Sequence, residues 1–394
     1  MLKEISYCNL HTHSHASCFD GIAKYQDYID YIKLNNMYKS FACTEHGYLG
    51  YVLDYLDTCK KNDVKPIVGC EIYMTTESLW QKYLAENETP KRYHLVILCK
   101  NLQGYKNLVG MNNEAIREGR TFVSRIKRWY VLITPELLSK WNSGNWIVLN
   151  ACIGSYAIYP YTIEGDVKET VKRVSFLREL FGENYYFEFQ MLNCDEQKKM
   201  NNIQVQLMKK LGNQKSIVSS DAHYLYKDQG VLRDIMMAMN WKVSLNMFRN
   251  INAEKTNTEE QMDIYLRTNE QMLSEYYEYE HNKIIPEDIF AESCENTIKI
   301  ADSIEPFSLN RPQELDTLKQ YFDGDANKIL LEECKSGLMR IRNEMDDPQK
   351  YVDWFKKEYD VVVQKNFAPY FLALRKVLEE TKNRNLYTGI GRGS

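Results

Sequence analysis

From KSFACT (39–44) to KSIVSS (215–220), short β-rich runs alternate with amphipathic stretches of helical length, and few folds accept that order. KSFACT precedes GYLGYVLDYLDTCKKN, KPIVGCEIYM (65–74) follows one helix later, and YHLVILCK (93–100) leads into NLQGYKNLVGMNNEAIREG. NWIVLNAC (145–152), VKETVKRVSFLRELFG (167–182), YYFEFQM (185–191), EQKKMNNIQVQLMKKLG, KSIVSS and a helix after Lys227 continue the series. Strands separated by helices imply crossovers and parallel pairing, and this many units suit a closed α/β barrel better than a short open sheet. With 394 residues, 44% of them hydrophobic, the chain can bury a large core and still carry an addition.

Near residue 241 the texture changes. NMFRNINAEKTNTEEQMD is polar and carries no period, and EYYEYEHNKIIPED is acidic with a helix-stopping Pro286. These features place a boundary near 275, dividing the chain into 1–275 and 276–394. Beyond it, FAESCENTIKIADSI, ANKILLEECKSGLMRIRNEM and PQKYVDWFKKEYDVVVQKN predict a mainly helical layer.

A net charge of -4 gives no global attraction to nucleic acid, so any such contact must be local. Arg117, Arg120, Arg125, Lys127 and Arg128, with Trp129 and Tyr130, form one basic cluster; a solvated face explains it more simply than a DNA contact. The 10 cysteines include no CxxC pair, and MLKEISYCNL is no secretory leader, so reduced thiols are expected and a structural zinc finger is not. No apolar run approaches the roughly 20 residues that cross a bilayer. A cytoplasmic protein with no membrane partner is expected.

HTHSH (11–15) spends three of the 7 histidines on alternate positions. In an extended run, side chains two apart share a face, so His11, His13 and His15 can point into one space, and neutral imidazole is a common metal ligand. A polar loop or a residual tag is the plainer reading, but the run sits among Ile5, Leu10 and Phe19, which disfavours a tag. Metal sites in α/β barrels gather at the carboxyl ends of strands. His46 follows KSFACT, Glu71 lies in KPIVGCEIY, His94 begins YHLVIL, Cys152 ends NWIVLNAC, and Asp221 with His223 ends KSIVSSDAH; Asp20 follows the first motif. Singly, His94 reads as a core histidine, Glu71 as a strand polar residue and Cys152 as a small hydrophobe. Jointly, so many ionisable groups at one mouth are costly unless cations compensate. Only His281, in an acidic segment, reads as an ordinary surface histidine.

HTHSHASCFDG, CTEHG, VKPIVGCEIY, HLVILCKN, NACIGS and SDAHY, in that order, resemble the motifs of the PHP (polymerase and histidinol phosphatase) domain. The version they resemble is the one that opens the bacterial and phage C-family DNA polymerases, the polymerase III alpha subunits. SRIKRW resembles the segment around a characteristic arginine, here Arg125, and YYFEFQ, IYLRTNEQM and CENTIKIADSI follow in the polymerase order. FAPYFLALRKVLEETKNRNLYTGIGRGS resembles the entry into the polymerase palm, although Lys376 stands where the family often has an acid. The resemblance spans essentially the whole chain.

The resemblance implies a distorted seven-stranded (βα)7 barrel followed by the start of the palm. It also implies nine metal-binding and catalytic residues: His11, His13, Asp20, His46, Glu71, His94, Cys152, Asp221 and His223. All nine positions hold a competent ligand, whereas some family members have lost part of the set and keep the domain as a scaffold. Glu45 stands where the family usually has Asp, and His15 where it is often acidic; Glu45 and Arg125 are expected just outside the ligands, and His15 there, facing substrate, or simply solvated. Three divalent ions are implied, and zinc, manganese or iron suit these donors better than magnesium, which does not favour Cys152.

Gly389, Gly391, Arg392, Gly393 and Ser394 are similar to a loop that contacts the incoming dNTP in the completed polymerase. The palm aspartates that hold its magnesium ions come later in the family and are absent from this chain, which implies an amino-terminal piece: a cut chain, a split gene or an intein half. The leading expectation is therefore part of a replicative DNA polymerase with its own phosphoesterase, plausibly a 3'-5' exonuclease. DNA, the rest of the polymerase, a sliding clamp and a proofreading subunit are the expected partners, in a bacterial cell or a phage-infected one. A free-standing phosphatase for a small phosphate ester is one alternative, and a noncatalytic scaffold that docks a separate exonuclease is another.

Overall fold

A computed structural model describes residues 2–18, 20–86, 90–124, 129–256, 263–309, 318 and 322–389. The chain divides into two compact units, Met1–Ser308 and Leu309–Ser394.

In unit 1 the order is α1 (Tyr25–Leu34), β1 (Ser40–Cys43), α2 (Val52–Asn62), β2 (Lys65–Met74), α3 (Glu77–Glu86), β3 (Tyr93–Cys99), α4 (Leu102–Arg117), β4 (Thr121–Val123), β5 (Trp129–Ile133), α5 (Pro135–Trp141), β6 (Trp146–Leu149), α6 (Tyr159–Glu164), α7 (Val167–Phe181), β7 (Tyr185–Gln190), α8 (Asp195–Leu211) and β8 (Lys215–Ser219). The expected alternation is present, and local signals set its limits. Asn101 caps α4 by accepting from the Gly104 amide, Thr134 caps α5 ahead of Pro135, and Asp166 caps α7.

The eight strands form one mixed sheet in the order β4-β5-β2-β3-β6-β7-β8, with β1 also paired to β2. β1 runs parallel to β2, β6 to β7 and β7 to β8. Pairing is not uniformly parallel, as the alternation alone suggested: β3 is antiparallel to both β2 and β6, and β4 with β5 makes an antiparallel pair. The connection through α3 brings the chain back to the end of β2 it had just left, so β3 enters from the opposite direction. The amino-terminal segment joins the two sides of the sheet by single backbone bonds, not by a continuous ladder. The amides of Ala42 and Thr44 donate to the carbonyls of Asn9 and Thr12, while His13 donates to Ala222 and Ala222 to His11. A distorted ring of this segment, β1, β2, β3, β6, β7 and β8 results.

Strand alternation grades the inside of that ring from apolar to polar. Cys70, Ile72 and Met74 of β2, Leu95 and Ile97 of β3, Val148 of β6 and Phe187 of β7 pack in the outer layer with helix residues such as Leu108, Leu177 and Ile203. Their alternates Ile67, Val96, Leu98, Ile147, Leu149 and Ile217 form an inner apolar cluster with Leu10. The same alternation turns Glu71, His94 and Glu188 inward, one level nearer the strand ends.

After α9 (Gly230–Trp241), α10 (Leu245–Thr256), α11 (Asn269–Glu278) and α12 (Glu287–Ser303) complete unit 1. The polar stretch read as aperiodic contains α10. The break also falls later than the boundary near 275, because α12 is fastened to the ring. Ile300, Ala301 and Ile304 join the inner cluster, the Thr297 hydroxyl accepts from the Cys8 amide at 2.8 Å, and Asn296 donates to the Ser216 carbonyl at 3.0 Å. Unit 2 contains α13 (Ala326–Ile341), α14 (Pro348–Gln364) and α15 (Ala368–Asn383), in agreement with a mainly helical segment. No described helix is long and apolar enough to cross a membrane.

Candidate metal centre

At the polar end of the ring, three donor groups lie side by side: His13, His46 and His223; His11, His13, Glu71 and Asp221; and Glu71, His94 and Cys152. Within each group the ligand atoms lie within 4.8 Å of one another, and His13 and Glu71 each belong to two groups. Glu71 is the hub. One of its oxygens meets His11 Nε2 at 2.9 Å, and the other meets His46 Nδ1 at 2.8 Å and His94 Nδ1 at 3.0 Å. Asp221 lies 3.3 Å from His11 Nε2 and 3.4 Å from His13 Nε2. The Cys152 Sγ is 3.4 Å from His94 Nδ1. Asp20, the ninth expected donor, stands beside the first group, 3.3 Å from His46 Nε2 and 3.9 Å from His223 Nε2.

The strands explain this convergence. His46 follows β1 and forms an isolated bridge with Glu71 of β2. His94 begins its strand, yet β3 is antiparallel and pairs His94 with Tyr73, so its start lies level with the carboxyl ends of its neighbours. Ala151, just before Cys152, has φ 62°, and Asp221 has φ 46°. Left-handed backbone at a non-glycine residue costs about 1–2 kcal/mol, and both instances turn a donor inward directly after a strand. Gly21 holds the Asp20 turn against the first motif, since a Cβ there would meet the Ser14 carbonyl oxygen at 1.9 Å.

Two carboxylates outside the nine hold these side chains in place. Glu45 is fully buried; it accepts from the Ser14 amide at 3.0 Å and from the hydroxyls of Ser14 and Ser17. Ser17 in turn sits 3.3 Å from His13 Nδ1 and accepts from the His46 amide at 3.2 Å, so Glu45 anchors the whole HTHSHAS turn. Glu188, which the sequence reading passed over, is fully buried in β7 and lies 2.8 Å from His11 Nδ1. A proton on Nδ1 leaves Nε2 free to face Glu71 and Asp221. Its only signal in YYFEFQM was an acidic residue on the inward register of a strand, between two phenylalanines.

The electrostatics are those of a crowded anionic pocket. Burial disfavours charge on His46, but Asp20 and Glu71 outweigh it and raise its pKa to about 9. His11 is likewise raised, against burial, by Asp221 and Glu188. Burial and the neighbouring His13 lower His223 to about 3. Burial raises the Cys152 thiol, and the charges of Asp221 and Glu71 raise it further. Burial opposes the charged forms of Asp20 and Glu71, yet their histidine partners hold both well below the usual carboxylate range. The buried Asp20 Oδ1 and Glu188 Oε2 make no hydrogen bond, and His46 Nε2 and Asp221 Oδ1 have only ion-pair contacts of 3.3 Å and longer. Buried polar atoms without partners are costly, and cations would satisfy them. The donor set therefore fits divalent metal.

The PHP domain model matches residues 9–191, and the model of the bacterial DNA polymerase III alpha NTPase domain matches residues 328–394. DNA polymerase III subunit alpha of Treponema pallidum is 27% identical over 100% of this chain and 31% of its own length. The same subunit of Aquifex aeolicus is 29% identical over 98% of this chain and 32% of its own length. Over its whole length the chain is similar to the bacterial DNA polymerase III alpha subunits. It corresponds to the amino-terminal region of those subunits and spans about a third of their length. An amidohydrolase from Chromobacterium violaceum shares 12% identity, with a TM-score of 0.35 over 55% of this chain and 88% of its own. Asp221 and His223 lie beyond the residues matched to the PHP model, yet the fold brings them to the same pocket as the other seven.

His15 is exposed, stands edge-on to Tyr25 with ring centroids 5.2 Å apart, and lines a cavity beside His46. Arg120 of the basic cluster pairs with Glu77 at 2.9 Å and Glu118 at 2.8 Å. Gly389 is exposed. Arg125, Lys127, Arg128, Gly391, Arg392, Gly393, Ser394 and the side chain of His281 lie outside the described residues.

Proposed function

We propose that unit 1 is a metal-dependent phosphodiesterase that trims the 3' end of DNA, carried on the amino-terminal side of a replicative polymerase. The observation that carries it is the sharing of His13 and Glu71 among three adjacent donor groups, which suits three divalent ions held by the nine expected ligands. Zinc, manganese or iron match the mixture of imidazole, carboxylate and thiolate. Such ions would supply the Lewis acidity and the activated water that phosphodiester hydrolysis needs at neutral pH.

The chain's own groups prepare the pocket. Asp20, Glu71, Asp221 and Glu188, with Cys152 as thiolate, carry five negative charges, one fewer than three divalent ions, so a phosphodiester is not repelled. Glu188 orients His11, and Glu45 with Ser17 keeps the turn carrying His13 in place. Such outer partners fix ring orientation and raise ligand basicity.

Because the chain spans about a third of its relatives, DNA synthesis is proposed for the whole protein. In that reading Gly389, Gly391, Arg392, Gly393 and Ser394 contact the incoming dNTP, magnesium is bound by residues elsewhere, and the sliding clamp and proofreading subunit are partners in the bacterial cytoplasm. The test of unit 1 is the 394-residue chain on labelled single-stranded DNA with added manganese. Loss of nucleotides from the 3' end is expected, with at least a hundredfold loss of rate in His11→Ala, Asp221→Ala. Cleavage no faster than in that double variant would reduce the centre to architecture, and hydrolysis of histidinol phosphate but not DNA would favour a small-ester phosphatase.

A further inference from the structure

Beside the metal centre lies a cavity of about 500 Å³ lined by His15, Ser17, Tyr25, His46, Tyr48 and Trp129, among others. His46 is the hinge between the two spaces: it belongs to a donor group and also to the cavity wall. Two of the other wall residues are large aromatics left open to solvent, Tyr48 at 54% and Trp129 at 70% exposure. Neither is idle surface. The hydroxyl end of Tyr48 closes on Gly50, where an added Cβ would meet the hydroxyl at 2.1 Å and the ring at 2.3 Å, so the glycine leaves room for the side chain. Trp129 begins β5, whose next residue, Tyr130, is buried and packs against Phe122 and Tyr73. The exposed indole is therefore carried on an anchored strand.

We propose that this cavity takes the terminal base of a single-stranded nucleic acid, stacked against Trp129 and Tyr48, while the adjoining phosphodiester reaches the metal centre past His46. This rests on the hydrolytic reading of that centre. The size suits one nucleoside, since ligand pockets of this kind run from about 300 to 1,000 Å³. Aromatic faces accept any base through its π-surface, so the site would select for a base that is free of its partner and not for its identity. A paired terminus would have to open before its base could enter, which makes the pocket a device for preferring frayed or mismatched ends.

The experiment compares internally labelled oligothymidylate with the same strand carrying abasic residues at both ends, using the 394-residue chain and its Trp129→Ala and Trp129→Phe variants. Cleavage is followed with manganese, and binding by fluorescence anisotropy without it. The unmodified protein should prefer the base-bearing strand by roughly 5- to 150-fold in kcat/KM, the range set by stacking one base on an aromatic side chain. Trp129→Ala should bring that ratio close to one, and Trp129→Phe should restore most of it. Equal cleavage of both strands by the unmodified protein overturns the base site while leaving the hydrolytic centre standing. If neither strand is cleaved the hydrolytic reading fails, and anisotropy still decides the pocket: tighter binding of the base-bearing strand that Trp129→Ala abolishes supports it, and equal binding overturns it.

Discussion

In unit 1, α7 buries Thr170, Arg173, Val174, Leu177 and Phe181 along one face of its 15 residues, whereas α14 in unit 2 buries none of its 17. Tyr351, Trp354, Val361 and Val363 of α14 are all exposed. Both helices are amphipathic and both begin with an aspartate cap, so the difference lies in what their apolar faces meet and not in how they are written. Short helices in water are marginal, and tertiary burial usually supplies their stability. Unit 1 has that support on every side, and its ring can afford left-handed kinks and a crowd of buried charge. Unit 2 leaves these apolar side chains of α14 open to solvent.

The sharpest way to break this comparison is to remove one tryptophan from each unit. Trp146 is buried against the outer core and its indole donates to the Gly104 carbonyl at 2.8 Å. Trp146→Ala is expected to cost about 3–5 kcal/mol in urea unfolding followed by circular dichroism. Trp354, 57% exposed, should change stability by no more than about 0.5 kcal/mol on the same substitution. Comparable losses from the two would mean that the face of α14 is already covered.

Chelation tests the units against each other next. Metal bound at a hundred times its dissociation constant stabilises a fold by about 2.7 kcal/mol, so removing it should raise amide exchange throughout the unit 1 ring and leave α13 and α15 as they were. The metal-free protein should also have its own pH profile. The His46 pKa, raised from 6.5 to about 9, contributes stability that is fully present below 6.5 and is lost as pH rises through about 9. The depressed Asp20 and Glu71 act oppositely: their contribution is present above the ordinary carboxylate range and disappears as pH falls through their lowered values. Metal needs neutral imidazole, so metal affinity should instead climb over the window in which the metal-free fold weakens. A parallel decline of both on titration calorimetry and thermal melting would contradict this assignment of His46.

Glu188→Gln refines the same centre. The amide keeps the volume but loses the charge that holds the Nδ1 proton of His11. Metal affinity should fall about 10- to 100-fold, as for other carboxylates that support a ligating histidine. Glu188→Asp should recover part of the loss. Unchanged affinity in the glutamine variant would leave Glu188 a packing residue.

How much of this was legible beforehand follows from range. The alternation of β-rich and amphipathic segments is a local pattern, and it located the strands that carry His46, Glu71, Cys152 and Asp221. The antiparallel course of β3 is a property of the whole sheet, and only the pairing of His94 with Tyr73 explains how a residue at the beginning of a strand joins donors at the carboxyl ends of the others. Glu188 was hidden for a related reason: an inward acid between phenylalanines is informative only once the inside of the ring is known to be polar at that level. The break after Ser308 depends on Ile300, Ala301 and Ile304 reaching the inner cluster, a contact no local window contains.

The smallest expected effect uses the two caps. Asp166 accepts from the Glu169 amide at 2.9 Å at the start of α7, and Asp347 accepts from the Lys350 amide at 3.2 Å at the start of α14. Each cap is worth about 1 kcal/mol on replacement by alanine, because one orphan amide of the first turn loses its acceptor. The local consequence should differ even where the global cost does not. In α7 the first turn is pinned by the buried Thr170, so Asp166→Ala should leave amide protection over 167–171 nearly intact. In α14 Pro348 and the cap are the signals that define the start, so Asp347→Ala should release protection over 349–353 by severalfold. Equal fraying at the two sites, read by hydrogen exchange, would show that burial contributes no more to α7 than local chemistry contributes to α14.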